Sequence, residues 1–343
     1  MSRRGKYAMA VGCFLVLCLA CTESTETRVQ RFLLKGNEQM KKGNEKEALG
    51  YYSAAVEIDS CFADAWNNMG TIYYRQEKYP LALDSYNHAL FCNPAYTEAL
   101  LNRANTFYEL KQYYSALQDL DRVAKKRPDT TVLHFSRGLV YTQLREYRLA
   151  IRSFREALKG DPGNAEIFIN IGSVYYYLHK LDSAKLLLND ALQLDPSQAN
   201  AYNTLALAEA QQGNYPQAML HMQEALSLKP DDPYFLNNRG FIYLMLGATE
   251  RALADINASI INDPDNAWAY RNKGIYYLKK GDAPNAIRML TQALTMSELI
   301  DKVHYYLGEA FLANGEKQKA CVHFQNALEK GEIGEEEYRL RCR

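Results

Sequence analysis

Seven side chains of related chemistry recur at intervals of 34 residues: Asn68, Asn102, Ser136, Asn170, Thr204, Asn238 and Asn272. Five are primary amides, each carrying a hydrogen-bond donor and an acceptor, and the other two are small hydroxyls. Asn is a poor helix former, so its recurrence inside helical segments calls for a reason. The chemistry on offer is hydrogen bonding, and nothing beside it breaks bonds. The six histidines (His88, His134, His179, His221, His304, His323) share no metal-ligand spacing, and there is no H-E-x-x-H, glycine-rich phosphate loop or G-x-S-x-G elbow. These absences predict no catalytic residue, no metal, no cofactor and no small-molecule substrate.

The elements that position the seven residues are set by the same period. Units begin at residues 29, 63, 97, 131, 165, 199, 233, 267 and 301, filling 29–334 without an insertion. Their eighth place reads Gly36, Gly70, Ala104, Gly138, Gly172, Ala206, Gly240, Gly274 and Gly308. Their twentieth reads Ala48, Ala82, Ala116, Ala150, Ala184, Ala218, Ala252, Ala286 and Ala320. A fixed period of this length signals an array of like supersecondary units rather than one globular core.

Within the second unit, Trp66, Met69, Gly70 and Tyr73 lie three and four apart, as do Ala82, Leu83, Tyr86, Ala89 and Leu90. Each set marks one face of a helix. A break at 76–79 separates them, and Pro80, Pro216 and Pro284 fall in the first turn of the second helix, where a missing N–H costs nothing. Gly43, Gly213, Gly247, Gly281 and Gly315 stand where the first helix must end, as caps tolerant of positive φ. Pro94, Pro128, Pro162, Pro196, Pro230 and Pro264 close the units. Each unit therefore reads as a helical hairpin.

The pattern W-x-x-L/M-G-x-x-Y, followed by Ala, an aromatic, Ala and Pro, resembles the tetratricopeptide repeat over 306 residues. The resemblance implies an all-α fold: a right-handed α-solenoid of nine tandem hairpins, with first helices lining a concave groove. The tail, residues 335–343, continues the register as the start of a tenth first helix and reads as a capping helix. Its Tyr338 and Leu340 are expected to cover the last hairpin while the charged residues face water. One unit cannot bury its own apolar face, so neighbours supply the missing contacts.

In this family the sixth place points into the groove. The ladder of Asn68, Asn102, Ser136, Asn170, Thr204, Asn238 and Asn272 could then grip the backbone of an extended protein or peptide segment. It could equally stitch each first helix to the next with no ligand. Tyr74, Tyr108, Tyr176, Tyr177, Tyr234 and Trp268 are predicted near the groove, where they could stack on a ligand side chain, although most of the 26 tyrosines belong to the repeat core. The family's carboxylate clamp is not present. Asn37 and Asn68 match its amide places, but Leu33, Glu98 and Asn102 stand where cations are needed.

The first 28 residues read differently. Arg3, Arg4 and Lys6 precede an apolar run from Ala8 to Ala20, too short for the roughly 20 residues of a bilayer span and suited to a signal peptide. Leu17-Cys18-Leu19-Ala20-Cys21 resembles the lipobox of bacterial lipoproteins, with Cys18 where the family usually carries Leu. The resemblance implies a signal peptide at 1–20, lipidation of Cys21 and a solvated tether at 21–28, with the chain lipid-anchored at a membrane of the bacterial envelope, most naturally the outer one. An ordinary secretory signal cut after Ala20, or an uncleaved anchor, would also fit. Removal of the three basic residues would leave 37 basic and 40 acidic groups, a charge of −3, which offers nucleic acid no electrostatic footprint.

Export would place the remaining cysteines in an oxidising compartment. Cys321 and Cys342 fall on either side of a tight helix contact and are expected to form a disulfide that clips the cap to the array. Cys92 reads as a core residue and Cys61 as a loop residue; their pairing is possible but nothing in the spacing favours it. The function that follows is a non-catalytic, membrane-anchored scaffold that binds protein segments, in envelope assembly or as an adaptor. The second reading is a chaperone-like holder of unfolded secreted chains.

Overall fold

A computed structural model describes residues 24–342, and among them there are nineteen α-helices and no strand. The expected signal peptide and Cys21 lie outside the described residues. Two compact units divide between Arg127 and Pro128, and each is a run of the expected tandem hairpins. The division follows the shortest of the second helices: α6 has twelve residues where its counterparts on either side have fourteen.

The first unit contains three hairpins: α1 (Thr25–Lys41) with α2 (Glu45–Ile58), α3 (Ala63–Arg75) with α4 (Tyr79–Cys92), and α5 (Thr97–Glu109) with α6 (Tyr113–Ala124). Helix α1 starts four residues ahead of the repeat register, so residues 25–28 are helical rather than tether. Ser24 caps it, its Oγ accepting the Thr27 N–H at 3.1 Å. The second unit contains six hairpins and the cap. They are α7 (Thr131–Gln143) with α8 (Tyr147–Gly160), α9 (Ala165–Tyr177) with α10 (Leu181–Leu194), and α11 (Ala199–Gln211) with α12 (Tyr215–Leu228). There follow α13 (Pro233–Met245) with α14 (Thr249–Asn262), α15 (Ala267–Lys279) with α16 (Ala283–Met296), α17 (Val303–Ala313) with α18 (Lys317–Glu329), and the cap α19 (Glu335–Cys342).

Close approach of the two helices explains the invariant small residues. All nine alanines of the twentieth place are without exposed surface. Opposite the eighth place stands a large side chain sixteen residues on: Tyr86 against Gly70, Phe154 against Gly138, Phe324 against Gly308. A Cβ at Gly70 would lie 2.6 Å from Tyr86 Cε1, well inside van der Waals contact. Where the place holds Ala104 or Ala206, the residue sixteen on is Leu120 or Met222, both fully buried.

The turns are equally regular. Gly43, Gly213, Gly247, Gly281 and Gly315 have φ between 74° and 82°. Glu77, Lys111, Arg145 and His179 take the same left-handed conformation at the same place without being glycine. The turn geometry is thus imposed by the hairpin, not selected by glycine alone.

Within each unit, first helices touch the next first helix (α3 on α5; α7 on α9 and onward to α17), whereas no second helix packs comparably on the next second helix. The first-helix side is therefore the inner, concave side of each stack.

The cap corrects one expectation. Leu340 is 80% exposed, while Tyr338 and Cys342 pack on Phe324 and Ala327. Residues 338, 341 and 342 share a helix face and residue 340 lies almost opposite, so Arg341 takes the covering role. Its guanidinium lies over Tyr305 and Phe324, donates to the Tyr305 hydroxyl at 3.4 Å and pairs with Glu309 and Glu337. Beside it, His304 is buried, with Nδ1 3.2 Å from Nδ1 of His323, whose ring stacks on Phe311. Burial, then the charges of Lys330 and His323, lower the His304 pKa to about 4.

Two outcomes follow. Gly70→Ala should destabilise the first unit by about 1–3 kcal/mol in urea unfolding, through overpacking; adding Tyr86→Leu should return part of the loss, and simple additivity of the two would contradict the account. An unfolded histidine protonates near pH 6.5 but folded His304 only near 4. Acidification between these values therefore charges the unfolded chain first and removes stability. The unfolding midpoint should fall more between pH 7 and pH 5 for the native chain than for His304→Gln.

Candidate functional site

The inner side of each stack is built from places two, five, six, nine, twelve and thirteen of the first helices, and the sixth place can be followed residue by residue. In the first unit, Asn68 donates to Asn37 Oδ1 at 3.0 Å, and Asn37 also accepts from the Tyr52 hydroxyl at 2.7 Å. Asn102 donates to Asn67 Oδ1 at 3.0 Å. In the second unit, Asn238 donates to Asn203 Oδ1 at 2.8 Å, and the fully buried Asn272 donates to Asn237 Oδ1 at 2.8 Å while accepting from Arg271. These four amides span from one first helix to the preceding one, which is the stitching geometry. Of their partners, Asn37 at the ninth place was noted only as a clamp match, and Asn67, Asn203 and Asn237 at the fifth place were not singled out in the sequence, although their type and place repeat.

The other three members do not join this network in the same way. Asn170 donates back to the Glu166 carbonyl at 2.8 Å, within its own helix and partly open to solvent. Buried Thr204 bonds the Asn200 carbonyl at 2.9 Å. Ser136 is buried and also partnered. Of the predicted ladder, only Asn170 keeps a half-exposed amide whose sole bond is local.

The aromatics divide between the two units. In the first, Tyr74 meets Tyr79 edge-on with centroids 5.6 Å apart, and Tyr108 meets Tyr113 likewise at 5.8 Å. The Tyr74 hydroxyl donates to Glu109 at 3.3 Å. In the second, Tyr177, Tyr234 and Trp268 are 51%, 50% and 41% exposed, a high exposure for such large rings. Tyr176 packs edge-on against Tyr177. Burial pushes the Tyr176 phenol up to about 12, with Tyr177 and Asp301 adding to the rise and Arg271 opposing it. Tyr306 is raised by burial against the same Arg271 charge. Groups from the fifth, eighth and ninth hairpins thus act on one another across the inner side of the second unit. Arg271 itself lies over the Phe241 ring, 5.5 Å from its centroid, and donates to the Asp301 carbonyl at 2.9 Å.

Two disulfides lie away from this side. Cys321 and Cys342 are joined, Cα–Cα 5.5 Å, tying α19 to α18. Cys61 and Cys92 are also joined, Cα–Cα 5.2 Å. Cys92 is therefore not a core thiol. The end of α4 returns beside the turn that precedes α3, so one repeat period separates two chain segments that touch. Among the described residues there is no group of three or more side chains that could hold a metal ion, and no helix long and apolar enough to cross a membrane. A shallow cleft lined by Glu298, His304, Asn326 and Lys330 lies by the last hairpin, with no nucleophile paired to a base.

The comparisons with known proteins agree with this geometry. Tetratricopeptide repeat models match residues 101–165, 169–233 and 271–332, with others matching 63–96 and 221–254. No curated protein matches the chain. Among solved structures, a chain of the APC/C hetero-tetramer Cut9–Hcn1 superposes with a TM-score of 0.66 at 17% identity, over 92% of this chain and 62% of that one. This chain thus spans less than two thirds of that protein. YrrB, described as a repeat protein of this kind with an unusual peptide-binding site, gives 0.42 at 19% identity over 55% and 97%. PilF of Pseudomonas aeruginosa gives 0.49 at 18% over 62% and 97%.

The stitching geometry predicts unequal costs within one ladder. Asn272→Ala should cost about 1–3 kcal/mol, because it strands the buried Asn237 amide and removes an acceptor from the partly exposed Arg271. Asn170→Ala should be nearly neutral. Chemical denaturation of the two variants measures both, and equal costs would count against a stitching role.

Proposed function

The chain belongs to the tetratricopeptide repeat family, a family of protein-interaction scaffolds, and from that premise we propose that it is a non-catalytic, membrane-anchored scaffold that takes an extended protein segment along its first-helix side. The observation that carries the reading is the open aromatic face of the second unit. Tyr177, Tyr234 and Trp268 of the first helices remain well exposed, with Tyr177 stacked on Tyr147 and edge-on to Tyr176. Large exposed rings mark interaction surfaces. Tyr and Trp suit them because one end is apolar and the other can hydrogen-bond.

The geometry shifts the roles within the candidate set. Asn68, Asn102, Asn238 and Asn272 spend their donors between helices and act on a ligand by holding the wall in place. Asn170, Tyr176, Tyr74 and Tyr108 supply groups a bound segment can touch. This mixture favours a dedicated scaffold over a general holder of unfolded chains, since a preset wall with few free amides selects its segment by ring contacts.

Anchoring rests on the sequence Leu17-Cys18-Leu19-Ala20-Cys21. In this reading Cys21 carries the lipid, several acyl chains at about 0.8 kcal/mol per buried methylene hold the protein at the membrane, and the placement is the bacterial outer membrane.

Photo-crosslinking in cells from positions 170 and 176 tests the proposal, with a Cys21→Ser chain run in parallel. The expected result is one stoichiometric adduct from both positions, with the native chain in the membrane fraction and Cys21→Ser released. Many weak adducts would favour the chaperone reading. Adducts only from second-helix positions would overturn the groove, and membrane retention of Cys21→Ser would overturn the anchor.

A further inference from the structure

The first unit holds a carboxylate in an unusual setting. Glu109 closes α5 on the inner side, exposed, with no lysine or arginine within ion-pair distance among the described residues. Four tyrosines from four successive helices gather at this place. Tyr74 ends α3, Tyr79 begins α4, Tyr108 lies beside Glu109 on α5, and Tyr113 begins α6. They form two edge-to-face pairs one repeat apart. The Tyr74 hydroxyl reaches Glu109 Oε1 at 3.3 Å.

Glu109 also acts on three of these phenols. Burial first, then its charge, holds Tyr74, Tyr79 and Tyr113 above the usual phenol range. Nearby cations have other partners: Arg75 pairs with Glu45 at 3.3 Å, and Lys78 bonds Gln76 at 3.0 Å. Lys111 lies in the left-handed turn after α5, and Glu77 adds a second negative charge beside Tyr79. None of the four rings is fully exposed or fully buried.

We infer that Tyr74, Tyr79, Tyr108, Tyr113 and Glu109 form a receptor for a lysine or arginine side chain of the bound protein segment. A ring face attracts a cation through its quadrupole, best where water is partly excluded, and an adjacent carboxylate adds a direct ion pair. Paired tyrosines one repeat apart leave a ring on either side of the carboxylate, so the cation meets both. The occupant is basic because the charges that act on these phenols, Glu109 and Glu77, are both negative. The inference deepens the scaffold reading and rests on it: it states which side chain of the segment the first unit would select.

The test is fluorescence anisotropy with the full-length chain in detergent micelles, using labelled (Gly-Ser-Lys)4 and (Gly-Ser-Glu)4 as probes. The lysine peptide should bind more tightly than the glutamate peptide. Glu109→Gln and Tyr74→Leu should each weaken it about three- to tenfold. Glu57→Gln, an exposed carboxylate on α2, controls for bulk charge and should change nothing, with helix content followed by circular dichroism throughout. Equal binding of the two peptides, or equal losses from Glu109→Gln and Glu57→Gln, would overturn the receptor. Adducts from positions 170 and 176 that persist beside such a result would leave the scaffold standing and remove only this assignment.

Discussion

Everything in this chain depends on how closely the two helices of each hairpin approach. An alanine without exposed surface recurs in all nine second helices, and a glycine or alanine faces a large side chain sixteen residues on. That contact is steric: a methyl at Gly36 or Gly138 would overlap the ring of Tyr52 or Phe154. It also has a consequence at longer range. A hairpin fixed this tightly presents its first helix at a constant angle, so the sixth-place residues of successive hairpins come within hydrogen-bond reach of the helix before. The amide network is therefore downstream of the packing.

The order of causes clarifies what the amides do. A ladder of Asn at a groove-facing place is legible in sequence, but its partner is not, because donor and acceptor chemistry is identical for a peptide ligand and for a neighbouring helix. Three-dimensional spacing decides it. Asn68, Asn102, Asn238 and Asn272 each find an amide oxygen on the preceding first helix within 3.0 Å. Asn170 has Ser136 rather than an amide one repeat earlier at its own place and Phe135 beside it, so it turns back on its own helix. A local change of neighbour thus converts one stitching residue into one available to a ligand.

Period, hairpin boundaries and turn glycines were readable because each is a one-dimensional signal. The misses share a physical form: they needed side-chain direction. Leu340 is apolar and near the last hairpin, yet its helix face points outward, and the long stem and planar head of Arg341 cover the apolar surface instead. Cys61 and Cys92 lie 31 residues apart, nearly one period, and a period is what returns the chain to its neighbour's side. Buried Asp119 and its two-pronged pairing with Arg103 at 2.7 Å recur as Asp255 with Arg239. Such a pair is invisible to a hydrophobic pattern, although Arg at the seventh place and Asp at the twenty-third coincide in the same units. Residues 25–28 look polar enough for a tether, yet Ser24 caps them into α1.

The two stacks also differ in the charge they bring to their inner sides, and this bears on what each would select. The first unit gathers Glu109 and four tyrosine rings, with Arg75, Arg103, Arg122 and Arg127 held by Glu45, Asp119 and Glu98. The second gathers Tyr176, Tyr306 and Arg271, with Arg271 contributing a guanidinium that bonds an amide and a backbone carbonyl rather than a carboxylate. An aromatic wall alone accepts many sequences, because every apolar side chain gains by contact with a ring. A carboxylate beside the rings in one stack and an arginine bonded to an amide and a carbonyl in the other make wrong charges costly in each. Specificity of this kind comes from repulsion as much as attraction. It requires the charged groups to hold still, which the helix-to-helix amides and the close hairpin contact provide.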